Sequence, residues 1–333
     1  MAKKENQEKF KTMIGGQALI EGIMMMGPEK TATVVRTKDE LKTKIEDRKP
    51  IPKYSVKKVP FLRGIFNFCS SMKVGTSALM YSAEFFGEDE EEESGKQSKF
   101  DAWLEKKLSS EKAKNALITV AVFIGILFSV GLFVVLPSLI GSFINRFITE
   151  NELVRNLLEG VVRIVIFLSY LFLVSRMKDM KRTFAYHGAE HKSIRCYEAK
   201  LPLTVENVRK QTRLHPRCGT SFLLIVMILS ILLFSVASSI LLSIVPKLPV
   251  VLGGWFRVVM IAYKLLLLPL VVSVSYEINR WVGRHDNRFT RILTAPGMWF
   301  QNFTTNEPDD EMIEVGIAAL EAVLPENKGE DQW

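Results

Sequence analysis

SFLLIVMILSILLFSVASSILLSIV, residues 221–245, contains no charged side chain. A bilayer-spanning helix needs about 20 consecutive, mostly apolar residues, so this stretch is long enough to cross a membrane. Three other runs approach the same standard: Ala116 to Phe143, Leu157 to Val174 with Arg163 inside it, and Val250 to Tyr276, interrupted by Arg257 and Lys264. The fold class that follows is mainly α, a polytopic membrane protein with about four transmembrane helices over residues 115–280.

The loops orient these spans. Eleven Lys and Arg lie between the second and third runs, from Arg176 through Arg217. The other two connections carry little positive charge: Arg146 and Arg155 in the first, Lys247 in the last. After the fourth run the chain is basic again, with Arg280, Arg284, Arg288 and Arg291. The positive-inside rule puts loop 176–219 and both termini in the cytoplasm, and an even number of spans agrees.

The 333 residues carry a net charge of +8 and a mean hydropathy of +0.14. That charge suits a surface facing anionic lipid or nucleic acid without proving either. Three scattered cysteines make no disulfide framework. Residues 1–12 are polar and no cleavable signal segment is visible, so internal helices must supply the membrane signal.

Outside the spans, residues 1–60 read as a small extended, β-containing cytoplasmic module. TATVVRT (31–37) and LKTKIE (41–46) alternate as strands do, around a turn at Lys38-Asp39-Glu40. Residues 61–86 read as an amphipathic helix with Phe61, Phe66, Phe68, Met72, Leu79 and Phe85 on its apolar side, able to lie on the membrane or pack on the domain. Residues 87–114 form an acidic linker, with six consecutive acids at 88–93, and a lead-in helix. The tail, 281–333, ends in an amphipathic helix. Asn306 or Thr305 would cap it, with Pro308 in its first turn, and its stripe Met312, Val315, Ala319 and Val323 must dock on something.

Metal-capable side chains are scarce and clustered. Two of the four histidines fall in HGAEH (187–191) and a third in HPRCG (215–219), beside a cysteine. On a helix, His187 and His191 are four apart and project from one face. Two neutral imidazoles so placed commonly begin a zinc site. With Glu190 between them, the order is the H-x-x-E-H of the inverted zinc peptidases, where the histidines bind metal and the Glu is a general base. The expected topology carries His215, Cys218 and Glu277 to the same membrane face. A closed site would use His187, His191, His215 and Cys218; an open one would use His187, His191 and either Glu277 or His215. The bland alternative is that the histidines are polar groups at an interfacial helix end and Cys218 is a small buried residue.

Three other features stand out. GGQALIEGIMMMG (15–27) reads either as backbone approaching a ligand with Glu21 in a site, or as turns around a buried strand with methionines filling a core. Lys264 lies well inside the fourth run and needs a partner, Glu159 being the nearest candidate, or else it snorkels. PGMWFQNFTTNEP (296–308) sets aromatics beside arginines, as at a membrane interface. No Walker loop, dinucleotide fingerprint, nucleophile elbow or nucleic-acid module is present, so no specific nucleic-acid recognition is expected.

Taken together, GGQALIEGIMMMG, Arg63-Gly64, AYHGAEHKSIRCYE (185–198), HPRCGTSFL (215–223), LLPLVVSVSYEINR (267–280) and PGMWFQNFTTNEP resemble the YqhQ-like bacterial membrane proteins, a family defined by a domain of unknown function. The resemblance implies a bacterial cytoplasmic-membrane context and the label of a metal-dependent enzyme, without a mechanism. Three functions are therefore expected in descending order. The first is a metal-binding site at the cytoplasmic membrane face, with a divalent transition metal, zinc by preference, and Glu190 as base of a peptide or lipid hydrolase. The second is a scaffold or accessory factor for membrane-protein biogenesis, meeting a translocon or ribosome through basic residues such as Arg209 and Arg213. The third is a transporter, motivated by Lys264 alone.

Overall fold

A computed structural model describes residues 10–48, 59–86, 120, 123–147, 152–285, 287–327 and 329–332. The chain divides into two compact units. One comprises residues 1–83, 171–230 and 257–333; the other comprises residues 84–170 and 231–256.

The first unit opens with a four-stranded antiparallel meander: β1 (Gly15–Leu19), β2 (Gly22–Met26), β3 (Lys30–Arg36) and β4 (Leu41–Asp47). The expected turn at 38–40 joins β3 to β4, with Thr37 N donating to Glu40 O at 3.0 Å. Strand periodicity sends alternate side chains to opposite faces. Ile23 and Met25 of β2, with Ala32 and Val34 of β3, enter the main core, whereas Leu19 and Met24 face the other way. The methionine run is thus a buried strand that packs both faces of the sheet.

Helices cover both faces. α1 (Leu62–Ala83) packs Ala78 against Leu19 and Met24. On the opposite face lie α4 (Lys178–Glu198) and the C-terminal α10 (Asp310–Glu321), numbering helices in chain order. The stripe of Met312, Val315, Ala319 and Val323 docks there, at most 4% exposed, against Ala185, Tyr186 and Ala189 of α4. The cap of α10 is Asp309, whose side chain accepts from Met312 N at 2.9 Å, rather than Asn306 or Thr305. Asn306 N is engaged elsewhere, donating to Phe184 O at 2.8 Å. The same unit holds α5 (Val205–Arg209) and α9 (Arg288–Thr304).

The long apolar helices are α3 (Glu152–Val174), α6 (Gly219–Ile244) and α8 (Phe256–Arg284). Three segments in them are long and apolar enough to cross a membrane: Leu157–Val174, Phe222–Ile244 and Val258–Arg284. The first two match the sequence reading closely. The third starts later than Val250, because Leu248–Leu252 forms a separate short helix, α7, and Gly253 breaks it with φ +50°. The expected run 116–143 lies partly outside the described residues. Within them it comprises an apolar helical stretch (Phe123–Phe133) that passes into a π-helical turn (Gly131–Val135) and then the first part of α2 (Leu136–Phe147). The acidic run 88–93 also lies outside the described residues.

In the second unit, Phe133 meets Phe167 and Tyr170 edge-on, with ring centroids 6.0 and 5.6 Å apart. Gly160 of α3 gives way to Ile231 of α6; a Cβ there would lie 2.6 Å from its Cγ2.

Candidate metal centre

HGAEH is helical throughout, inside α4. Gly188 fits the helix because the chain at Asn306 crosses it closely: a Cβ would fall 2.0 Å from Asn306 O. His187, Glu190 and His191 therefore project from a helix held between the sheet and the segment after α9.

Both imidazoles are oriented by backbone carbonyls. His187 Nδ1 is 2.8 Å from Thr304 O, and His191 Nδ1 is 2.5 Å from Arg213 O. A carbonyl can only accept, so each Nδ1 carries the hydrogen and each Nε2 keeps its lone pair. This is how proteins commonly set metal-binding histidines. Cys218, just before α6, completes the group, its Sγ 3.2 Å from His187 Nε2. The candidate ligand atoms of His187, His191 and Cys218 lie within 4.8 Å of one another, and the three residues are buried or nearly so. A buried His187/His191/Cys218 group of this kind could hold a metal ion.

Burial pushes the His191 pKa down to about 4, leaving it neutral at pH 7. Burial alone would raise the Cys218 thiol, but neighbouring His191 and the Thr220 donors outweigh it, and the net shift is downward. Thr220 N and Oγ1 lie 3.4 and 3.1 Å from Sγ, at the positive end of α6. Both trends favour the ligating forms.

Glu190 is buried in the same turn of α4 as the two histidines. Its Oε1 accepts from Gly16 N at 2.9 Å. Its Oε2 is buried without a hydrogen-bond partner. Burial pushes its pKa up to about 7, with the nearby Cys218 adding to the rise and His187 and Gly16 opposing it. The second glycine of GGQAL permits this approach: a Cβ on Gly16 would meet Met24 O at 2.4 Å and Glu190 Cδ at 3.2 Å.

Other expected site residues fall elsewhere. His215 is buried, its ring 5.5 Å from that of His191, but its Nε2 faces Glu198 Oε2 at 3.4 Å. Glu198 also accepts from Thr12 N and pairs with Arg217. Glu277 is bound to Arg63 and to Phe61 N. Glu21, at a turn with φ +48°, pairs with Arg182 and accepts from Tyr186 Oη at 3.1 Å. Glu159 pairs with Arg163 at 3.1 Å. Arg209 pairs with Asp310 on the surface. Arg213 donates to Thr305 O and Oγ1, both at 2.7 Å, so it clasps the end of α9 while its own carbonyl holds His191.

The family described as a protein of unknown function, DUF1385, matches residues 59–326. The chain belongs to the DUF1385 family. It is 34% identical over 322 residues to the uncharacterized protein YqhQ of Bacillus subtilis (strain 168), covering 96% of this chain and 94% of that one. No solved structure matches.

The family match contains all three candidate ligand residues, while Gly16 precedes it. Gly16, Gln301 and Thr304 escaped the sequence reading, and Arg213, expected to meet a partner, instead holds Thr305 and His191. Gln301 is fully buried and holds the His215 backbone from both sides, accepting from its N at 2.7 Å and donating to its O at 2.6 Å. A glutamine in an amphipathic helix gives no sign of this, and carbonyls such as Thr304 O have no sequence signature at all.

Proposed function

We propose that this chain is an integral protein of the bacterial cytoplasmic membrane with a zinc-dependent hydrolase site at its cytoplasmic face. The observation that carries the reading is the combination of three convergent ligand atoms with a buried carboxylate oxygen that has no partner. Two imidazoles and a thiolate suit zinc, and three protein ligands leave the open position typical of catalytic zinc. When bound, the ion supplies Lewis acidity to an oxygen of water or substrate. His187 and His191 hold their Nε2 lone pairs in place through the Thr304 and Arg213 carbonyls. Glu190 holds Oε2 ready to accept a proton and later return it, a role for which a pKa near neutrality is well matched. A peptide or lipid at the membrane surface is the substrate class we assign.

Charge asymmetry of the loops supports a cytoplasmic site. Labelling tests it: Lys210→Cys, on an exposed side chain, should react only from the cytoplasmic side, and Val250→Cys only from outside. Reaction of position 210 from outside would defeat the placement.

For catalysis, Glu190→Gln is the decisive variant. The amide preserves shape and its carbonyl can still accept from Gly16, but it cannot take a proton. Metal content should persist while complementation of a deletion strain is lost at matched protein levels. Full complementation would remove the hydrolase reading.

The contact between Cys218 Sγ and His187 Nε2 supports a second reading, a thiol nucleophile with a histidine base. Metal analysis separates the two, since a nucleophilic thiol would be free and alkylatable in the purified protein.

A further inference from the structure

Helix α1 presents two unlike faces. Its buried positions are the small residues Gly64, Gly75, Ala78 and Ser82. Through them it packs on α8 at one end and on the sheet at the other. At the first end, a Cβ on Gly64 would lie 3.0 Å from Ser273 Cα. Ser273 Oγ donates to Phe61 O at 2.6 Å, Asn67 Nδ2 donates to Tyr276 Oη at 2.7 Å, and Arg63 Nε donates to Glu277 at 2.7 Å. At the other end, Gly75 abuts the Gln17 side chain and Ala78 meets Leu19 and Met24.

The outward face is apolar. Leu62, Phe66, Met72, Leu79 and Met80 are each 41% to 55% exposed. At 100° per residue they fall in one sector, which holds a single charge, Lys73; the helix contains no Asp or Glu. Phe66, Phe68, Met72 and Leu79, which suggested an amphipathic helix, thus point away from the domain, and the small residues point in.

The contacts with α8 fix where this face lies. Ser273, Tyr276 and Glu277 belong to the later part of the apolar segment Val258–Arg284. At about 1.5 Å per residue, such a segment exceeds the roughly 30 Å of hydrocarbon in a bilayer. Its charged end, with Glu277, Arg280 and Arg284, therefore belongs at headgroup level, and α1 starts at that level. We infer that α1 is an interfacial helix, its Leu62, Phe66, Met72, Leu79 and Met80 face seated at the headgroup–acyl boundary of the bilayer. This rests on the membrane reading above. The occupant is lipid because the face continues from a spanning helix, and because an apolar stripe with one snorkelling lysine matches that boundary.

Cys69 provides a native probe on this face: it is exposed, whereas Cys196 and Cys218 are buried. A nitroxide would be attached to Cys69 of the full-length protein in nanodiscs of phosphatidylcholine and phosphatidylglycerol. Its relative accessibility to oxygen and to a water-soluble nickel chelate would be measured. Two controls in a Cys69→Ser background carry the label at Leu266→Cys, in the apolar segment, and at Thr43→Cys, exposed on β4. The expected result is an oxygen-dominated signal at Cys69, at a shallower depth than Leu266, with Thr43 in water. A nickel-accessible Cys69 beside a lipid-buried Leu266 would overturn the inference and leave the membrane reading standing. Dipolar broadening at Cys69 would overturn it in favour of a second copy covering the face. A water-exposed Leu266 would remove both.

Discussion

His187 Nε2 lies 3.2 Å from Cys218 Sγ, although 31 positions separate the two residues. One sits in the middle of α4 and the other just before α6, so their meeting is a property of the packed unit. With His191 they form a buried group whose donor atoms face one another rather than solvent.

Purified protein should carry close to one transition metal per chain, zinc by the ligand chemistry. His187→Ala, His191→Ala and Cys218→Ser should each remove most of it, measured by elemental analysis after gel filtration. Undiminished metal in the His187→Ala/His191→Ala double variant would rule out this centre.

Bound metal should also shield Cys218. In Cys69→Ser protein, where Cys196 is buried, alkylation by a small maleimide should be slow as purified. It should rise at least several-fold after chelation. Equal rates before and after chelation would favour the thiol-nucleophile reading instead.

The two loop arginines should behave differently. Arg209 and Asp310 form an exposed ion pair, screened by solvent and of little weight for stability. Arg209→Glu should therefore leave metal content and thermal midpoint nearly unchanged. Arg213→Glu should lower both, because its guanidinium holds the Thr305 carbonyl beside the His187 acceptor while its own carbonyl orients His191. Arg209 is thus the position at which a surface partner can be sought without disturbing the centre.

Acid should act on the metal-stripped protein in two opposite ways: protonation of Glu190, whose pKa is pushed up to about 7 by burial, restores stability, whereas the buried histidines lose it. Burial lowers the His191 pKa to about 4 and also lowers that of His215. At these histidines the unfolded chain binds more protons below about pH 6.5, so their contribution to stability is complete above that value and is lost as pH falls toward the folded pKa. For His191 the loss between pH 7.5 and 5.5 is roughly 1 kcal/mol. Thermal melts with chelator in a Glu190→Gln background, which removes the opposing carboxylate, should show this drop, and adding His191→Gln should flatten it. An unchanged slope would mean that the imidazole is not held neutral.

Gly188→Ala should be severe for a residue of modest size. The added methyl has backbone as its obstacle, the Asn306 carbonyl 2.0 Å away. Overpacking of this kind costs about 3 kcal/mol, read as a lower thermal midpoint with concurrent loss of metal. A wild-type melt would show that the chain after α9 can move aside freely.

Local patterns were readable in the sequence because they depend on few neighbours. Three apolar segments, the strand alternation around Lys38-Asp39-Glu40 and the stripe of α10 all follow from period and burial, and the structure bears them out. The histidine pair was equally legible, since i and i+4 share a helix face. What the sequence left open was which distant groups join that face. It allowed His215, Cys218 and Glu277 as ligands, and packing brought Cys218 into the group while His215 turned to Glu198 and Glu277 to Arg63. The orienting carbonyls of Thr304 and Arg213, and the Gly16 amide on Glu190, are backbone groups that every residue possesses. Side-chain identity therefore cannot mark them. Only the tertiary structure, by bringing α4, α9 and β1 within hydrogen-bond distance, decided that these became the supports of the site.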